Sequence, residues 1–340
     1  MLIKIDTMAT TNSNLSEIVN PHPSDAQASN SPFHAGEIAV QRRIGVREVV
    51  EKRYAKLIRN HMPDQHRLFF AQLPMLLVAS VDGDGQPWAS VLCAPPGFID
   101  SPDATHLCIN THPLKGDPLD TTLAAGCELG LLGIELPTRR RNRANGVVQS
   151  INAAGFTVAV RESFGNCAKY IQARTPEFAD SSTAAPAISS ECTDRLNERM
   201  RHMILGADTY FIASAYSDTG RQIASADVSH RGGRPGFVRV DDATTLTAPE
   251  FIGNSYFNTT GNLLTCPRAG LLFIDFDCGD LLYLAADVEV IWDGPEVERY
   301  AGAQRLFRFH IRRVLLNRAS LPLRWGAVEF SPALLNMGSW

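Results

Sequence analysis

The feature that most constrains this 340-residue chain is an internal repeat. Val78-Ala79-Ser80 returns as Ile212-Ala213-Ser214, Pro96-Gly97-Phe98-Ile99 as Pro235-Gly236-Phe237-Val238, and Gly130-Leu131-Leu132 as Gly270-Leu271-Leu272. The matches are short, but they keep one order, and the last two pairs lie 139 and 140 residues apart. Whatever the chain folds into, it folds into it twice. Both copies are rich in strand signals. Met75 to Val81 is apolar, Asp82-Gly83-Asp84-Gly85 supplies a hairpin turn, and Pro87 to Cys93 returns as the next strand. In the second copy Phe307, Phe309 and Ile311 alternate with Arg308, His310 and Arg312, the period of a half-buried strand. The expected fold class is therefore mainly β (α+β), two small antiparallel barrels in tandem with flanking helices, since closure hides the sheet edges.

Helices are expected at Glu37 to Arg59 and Asp64 to Leu73 before the first copy, and at Asp194 to Leu205 before the second. Residues 1–32, rich in Ser, Asn, Thr and Pro, read as a disordered tail. The first module then spans 33–174, a Ser/Ala/Thr/Pro-rich linker 175–190, and the second module 191–340.

A formal net charge of -4 gives no electrostatic case for nucleic acid or an anionic membrane surface. No apolar run reaches the roughly 20 residues a spanning helix needs. Seven irregularly spaced cysteines read as reduced thiols of a cytoplasmic protein. His106, Cys108, His112 and Cys93 admit a zinc reading, against the simpler one of strand and loop residues with no metal. The run Arg139-Arg140-Arg141-Asn142-Arg143 reads equally as a solvated strand edge or as an anion contact.

The two copies differ most between Asp227 and Asp280, where the second carries Ser229-His230-Arg231-Gly232-Gly233 and then a polar loop with Asn254, Asn258, Thr259 and Asn262. Cations, side-chain amides and glycine-freed N–H groups suit a phosphate, and the apolar strand Ala269 to Phe276 suits a flat ring. The first copy has Lys115, Asp117 and Asp120 at the equivalent loop, and its carboxylates repel an anion. Gly232-Gly233-x-x-Gly236 is not a dinucleotide fingerprint, because strand-like sequence follows it. Ser229 and His230 are strand neighbours pointing to opposite faces, which rules out a triad. His230 is the candidate acid or base, its ordinary pKa lying near neutrality.

The segments SPFHAGEIAVQRRIGV (31–46), PWASVLCAPPGF (87–98), FGNCAKYIQAR (164–174), DVSHRGGRPGFVRV (227–240) and FNTTGNLLTCPRAGLLFIDF (257–276) resemble the pyridoxamine 5'-phosphate oxidase-related FMN-binding proteins, in particular a subgroup with two split β-barrels in tandem. The resemblance implies bound FMN and an oxidoreductase acting on a small-molecule substrate or electron donor, or else a non-catalytic flavin or haem carrier or sensor. A homodimer is expected, twofold pairs being the commonest assembly. In the oxidase a Ser-Arg-Lys run grips the phosphate; here Phe257-Asn258-Thr259 stands in its place, leaving His230, Arg231 and Lys169 to supply positive charge. The oxidase's Arg-x-Val-Leu-Leu-Lys strand is replaced by SHRGG, so the likeness extends to the cofactor and not to that enzyme's substrate.

Overall fold

The computed structural model describes residues 31–179, 189–218 and 223–340; the expected tail lies almost wholly outside them, as does the middle of the expected linker. The chain is mainly β, and its strands pair antiparallel in two large sheets. The first contains β1 (Met75–Val81), β2 (Pro87–Cys93), β3 (Ile99–Asp100), β4 (His106–Ile109), β5 (Glu128–Glu135), β6 (Arg140–Asn152) and β7 (Gly155–Gly165). A small pair follows later, formed by β8 (Pro176–Phe178) and a strand near the C-terminus. The second large sheet takes β9 (Ser190–Thr193), β10 (Thr209–Ser217), β11 (Ile223–Gly232), β12 (Arg239–Val240), β13 (Thr245–Phe251), β14 (Arg268–Ile274), β15 (Leu281–Ile291) and β16 (Ala303–Asn317). β17 (Leu323–Trp325) is the strand that pairs with β8.

The strand orders are the same: β2-β1-β5-β6-β7-β4-β3 in the first sheet and β11-β10-β14-β15-β16-β13-β12 in the second, with β9 an addition on β16. The Asp82 turn forms as its residues require. Gly85 takes φ 74°, and the Asp82 carboxylate accepts from the N–H groups of Asp84 and Gln86 and from Trp88 Nε1.

Side-chain alternation explains how the sheets meet. Leu76 and Val78 of β1 enter a core with Leu92, Leu107 and Leu131. Leu77 and Ala79, on the opposite face, join Phe211, Ala213, Val228, Leu272 and Tyr283 in a core shared by both halves. β10 repeats this, Tyr210 and Ile212 pointing into the core of the second half. The repeated glycines serve the shared face. A Cβ on Gly130 would lie 2.7 Å from Asp227 Cα, and one on Gly270 would lie 2.6 Å from Trp88 Cα. Each sheet thus lets the other's second strand approach through a missing side chain. Gly130→Ala is expected to cost about 1–3 kcal/mol by overpacking, read as a lower urea midpoint; Gly83→Ala, where a Cβ meets nothing, is the control that does not move.

The helices are α1 (Ala35–Arg43), α2 (Arg47–Tyr54), α3 (Asp64–Ala71), α4 (Leu119–Thr122), α5 (Glu198–Gly206), α6 (Asn258–Thr265) and α7 (Pro295–Arg299). The single helix expected over Glu37 to Arg59 is broken at Gly45, which takes φ 73°. Gly45 N–H donates to Arg42 O and Val46 N–H to Gln41 O, the paired bonds of a helix stop that glycine favours. α1 opens with a capping box between His34 and Glu37 and crosses α6 so closely that a Cβ on Gly261 would meet Glu37 N at 2.6 Å. Phe33, Ile38, Phe164 and Tyr256 pack beside this crossing. Among the described residues no helix is long and apolar enough to cross a membrane.

Candidate functional site

The segment read as a polar loop after Asn254 is in fact partly helical: Asn258 and Thr259 begin α6 and Asn262 lies inside it. The Ser229–Gly233 stretch, despite its two glycines, is strand as far as Gly232, the end of β11. Continuous pairing with β10 as far as Thr209–Gly232, and burial of Ala226 and Val228 in the shared core, outweigh the local turn tendency of the glycines. Asp227, Ser229 and Arg231 therefore share one face and His230 takes the other.

β6 and β11 bound a cleft between the two halves, closed by the start of α6 and the 166–170 segment. On β6, Arg141 and Arg143 are two residues apart and face the same way. The run of arginines is thus divided by strand geometry. Arg140 lies over the Phe69 ring, 4.7 Å from its centroid, and not in the cleft.

The cations differ in what holds them. Arg143 is buried and spends its guanidinium on protein: Nη1 meets Asp227 Oδ1 at 2.5 Å, and Nη2 donates to Ser229 Oγ at 2.8 Å and to Val228 O at 2.9 Å. Asn145 and Asn262 donate to the same carboxylate. Burial pushes Asp227 up, yet Arg143 and the two amides outweigh it and hold the carboxyl below its ordinary range. Arg231 pairs with Glu250 at 2.9 Å, and Glu250 also takes Arg305 and the Thr260 hydroxyl. Arg141 differs. Its Nε donates to Cys167 O at 2.6 Å, and it has no carboxylate within ion-pair distance among the described residues. Burial pulls it down to about 10, so it remains charged at neutral pH.

The start of α6 lines the same cleft as Arg141. Its N-cap residue, Phe257, gives no side-chain cap, and the first turn has no acidic residue. The unpaired N–H groups and the helix dipole favour an anion there. Three residues around the cleft, Tyr170, Ser255 and Phe257, have φ of 65°, 63° and 64° although none is glycine. Such left-handed backbone is costly and gathers at ligand sites. The cleft has a volume of about 100 Å³ and is open at its mouth. Sites that swallow a whole drug-sized ligand run to roughly 300–1,000 Å³, so this recess takes a phosphate-sized group, and any remainder would occupy the open mouth.

Of the residues singled out from sequence, Ser229, His230, Arg231, Asn254, Asn258, Thr259 and Lys169 line this cleft. Asn262 lies behind it, bonded to Ser214 and Asp227. Gly232 and Gly233 do not line it; they allow close packing against the Tyr170 carbonyl and the Phe237 ring. His230 departs from its expected role. Its ring stands edge-on to Phe211 and both ring nitrogens lack hydrogen-bond partners. Burial, then the charges of Arg141 and Arg231, hold it well below its ordinary pKa, so it is neutral at pH 7 and supplies no positive charge. Of the Arg139–Arg143 run, read from sequence equally as a strand edge or an anion contact, Arg141 and Arg143 line the cleft; Glu250 was not singled out from sequence. The residues weighed for zinc do not gather: among the described residues no cluster suits a metal, and His106 bonds Asp103 while His112 bonds Ala153 O.

Glu162 of β7 lies near the Asp227 cluster. Burial raises it to about 7, Asp227 adds to the rise, and Arg143 opposes it. A carboxyl raised on folding binds its proton more tightly in the folded state, so stability falls as pH rises from about 4.5 to about 7. Glu162→Gln is expected to remove that part of the pH dependence, measured as urea midpoints at pH 5 and pH 8; an unchanged difference between the two would contradict it.

No known family profile and no curated protein matches the chain. Among solved structures, it is similar to HupZ of Group A Streptococcus, with TM-score 0.29 and 16% identity over 37% of this chain and 97% of the other. It is also similar to a FAD-binding protein of Mesorhizobium loti, with TM-score 0.26 and 11% identity over 39% and 99%. An F420 reductase gives TM-score 0.21 and 15% identity over 37% and 93%. At these identities and scores none of them bears on the chemistry of the cleft.

Proposed function

We propose that the chain is a flavoprotein of the pyridoxamine 5'-phosphate oxidase-related group, two tandem split barrels holding FMN by its phosphate in the cleft at α6. The observation that carries this is Arg141, a guanidinium with no carboxylate partner, on the same cleft as an uncapped helix start. Those groups suit a phosphate and would be poorly matched to a cation or an apolar ligand. The α6 N–H groups and Arg141 would bind the phosphate, with the exposed Lys169 on the same cleft as a further cation, while Asn258 Nδ2 and Thr259 Oγ1 already donate to Glu37 Oε1 and Ser229 Oγ. Arg143 is matched by Asp227 and orients the wall, whereas Arg231 shares the single Glu250 charge with Arg305, so that cluster keeps one net positive charge behind the cleft.

When bound, a flavin supplies the transfer of hydride or electrons, which makes an FMN-dependent oxidoreductase the reading we favour. His230, kept neutral, acts in this reading as an apolar-contact wall residue and not as an acid. The unpaired state of all seven cysteines agrees with a cytoplasmic location, and a twofold homodimer is the assembly we expect. The purified protein should be yellow and release FMN on denaturation. Colourless protein that also fails to take up added FMN would remove the proposal. Anaerobic bleaching of the loaded protein by NAD(P)H or pyridoxamine phosphate would mark an enzyme, and no bleaching by any donor would mark a carrier.

A further inference from the structure

The shared strand order gives the strand residues of the cleft counterparts in the other half. Gly130 pairs with Asn145 on β6 and Gly270 with Ala285 on β15, so Arg143 corresponds to Tyr283 and Arg141 to Leu281. Ser80 pairs with Trp88 and Ser214 with Asp227, so Ser229 corresponds to Ser90 and Arg231 to Leu92. Ser80 bonds Thr122 of α4 as Ser214 bonds Asn262 of α6, which makes α4 the counterpart of α6.

The counterpart is built differently. Its three cation positions hold Tyr283, Leu281 and Leu92, all fully buried. At the start of α4 the buried Asp117 accepts from Leu119 N–H at 2.8 Å through one carboxylate oxygen, and from Tyr283 Oη–H at 2.8 Å through the other. A carboxylate of the chain itself thus sits at the helix start. At the start of α6 the place of Asp117 is taken by Phe257, which caps nothing; the carboxyls nearby are spent on side chains, Glu37 accepting from Asn258 Nδ2 and Glu250 from the Thr260 hydroxyl, and neither takes a backbone N–H of the helix as Asp117 does.

Resting on the flavin reading above, we infer that each chain binds a single phosphate-anchored ligand, at α6, and that the symmetry-related locus is closed by its own internal anion, Asp117, held by Tyr283. The duplication has therefore yielded one ligand site and one structural joint. Its shape also explains why the joint cannot simply revert: restoring a site would need the cation positions and the removal of Asp117 together.

Calorimetric titration of the full chain, freed of bound flavin, with FMN tests this. One equivalent per chain is expected. Two equivalents would overturn the inference and leave the α6 reading intact, whereas no binding would overturn both. Two variants locate the single equivalent: Arg141→Ala should weaken it, and Tyr283→Phe should leave its stoichiometry and affinity unchanged. Loss of FMN binding in a folded Tyr283→Phe protein would put the ligand at the wrong locus and sink the assignment.

Discussion

Arg141→Ala should lower FMN affinity by about 10- to 100-fold. A hydrogen bond to a charged group contributes about 1.5–3 kcal/mol, and each 1.4 kcal/mol is about tenfold in a dissociation constant. Arg141 has no carboxylate to satisfy, so its charge is available to a ligand. Arg231→Ala should do less to affinity, because that guanidinium is already engaged by Glu250, which it shares with Arg305, and lies against the Phe307 ring. Its loss should appear in stability. Quenching of flavin fluorescence on binding measures both variants, and an Arg231→Ala effect exceeding that of Arg141→Ala would reverse the assignment of the anion contact.

Asp227→Ala should destabilise the fold by about 3–5 kcal/mol, the usual cost of stranding one member of a buried ion pair. Arg143 comes from the first half and Asp227 from the second, and both are almost wholly buried. Removing the carboxylate leaves a guanidinium in the shared core and takes an acceptor from Asn145 and Asn262. Replacing both members, Arg143→Met with Asp227→Leu, should recover much of the loss, since an apolar pair of similar volume carries no desolvation cost. Denaturant midpoints of the three proteins decide it. A single variant as stable as the wild type would show that the pair is not the joint between the halves.

What the sequence displayed was governed by short-range physics. The Asp82–Gly85 turn and the alternation in β16 each report a local constraint, a positive φ and a half-buried face, whereas the repeated glycines stood out only as part of the repeat, their approaches to Asp227 and Trp88 being long-range. The end of α1 at Gly45 was equally local and could have been read from that glycine. The site was less legible because long-range contacts define it. Whether Arg141 or Arg231 is available to an anion depends on which carboxylate the fold brings to it, and Glu250 is 19 residues from Arg231 while Asp227 is 84 from Arg143. The α6 helix begins where the sequence Asn-Thr-Thr-Gly-Asn suggests a loop, because its Gly261 is needed for the crossing with α1. His230 likewise looked poised to titrate until the fold buried it beside two guanidinium groups.

The central claim is that the phosphate end of a flavin is what the cleft holds. The most direct test compares the affinities of the wild-type chain for FMN and for riboflavin, which lacks the phosphate. FMN should bind at least about tenfold tighter, the worth of one charge-assisted contact, and Arg141→Ala should shrink that preference. Equal affinity for the two, unchanged in the variant, would contradict the account.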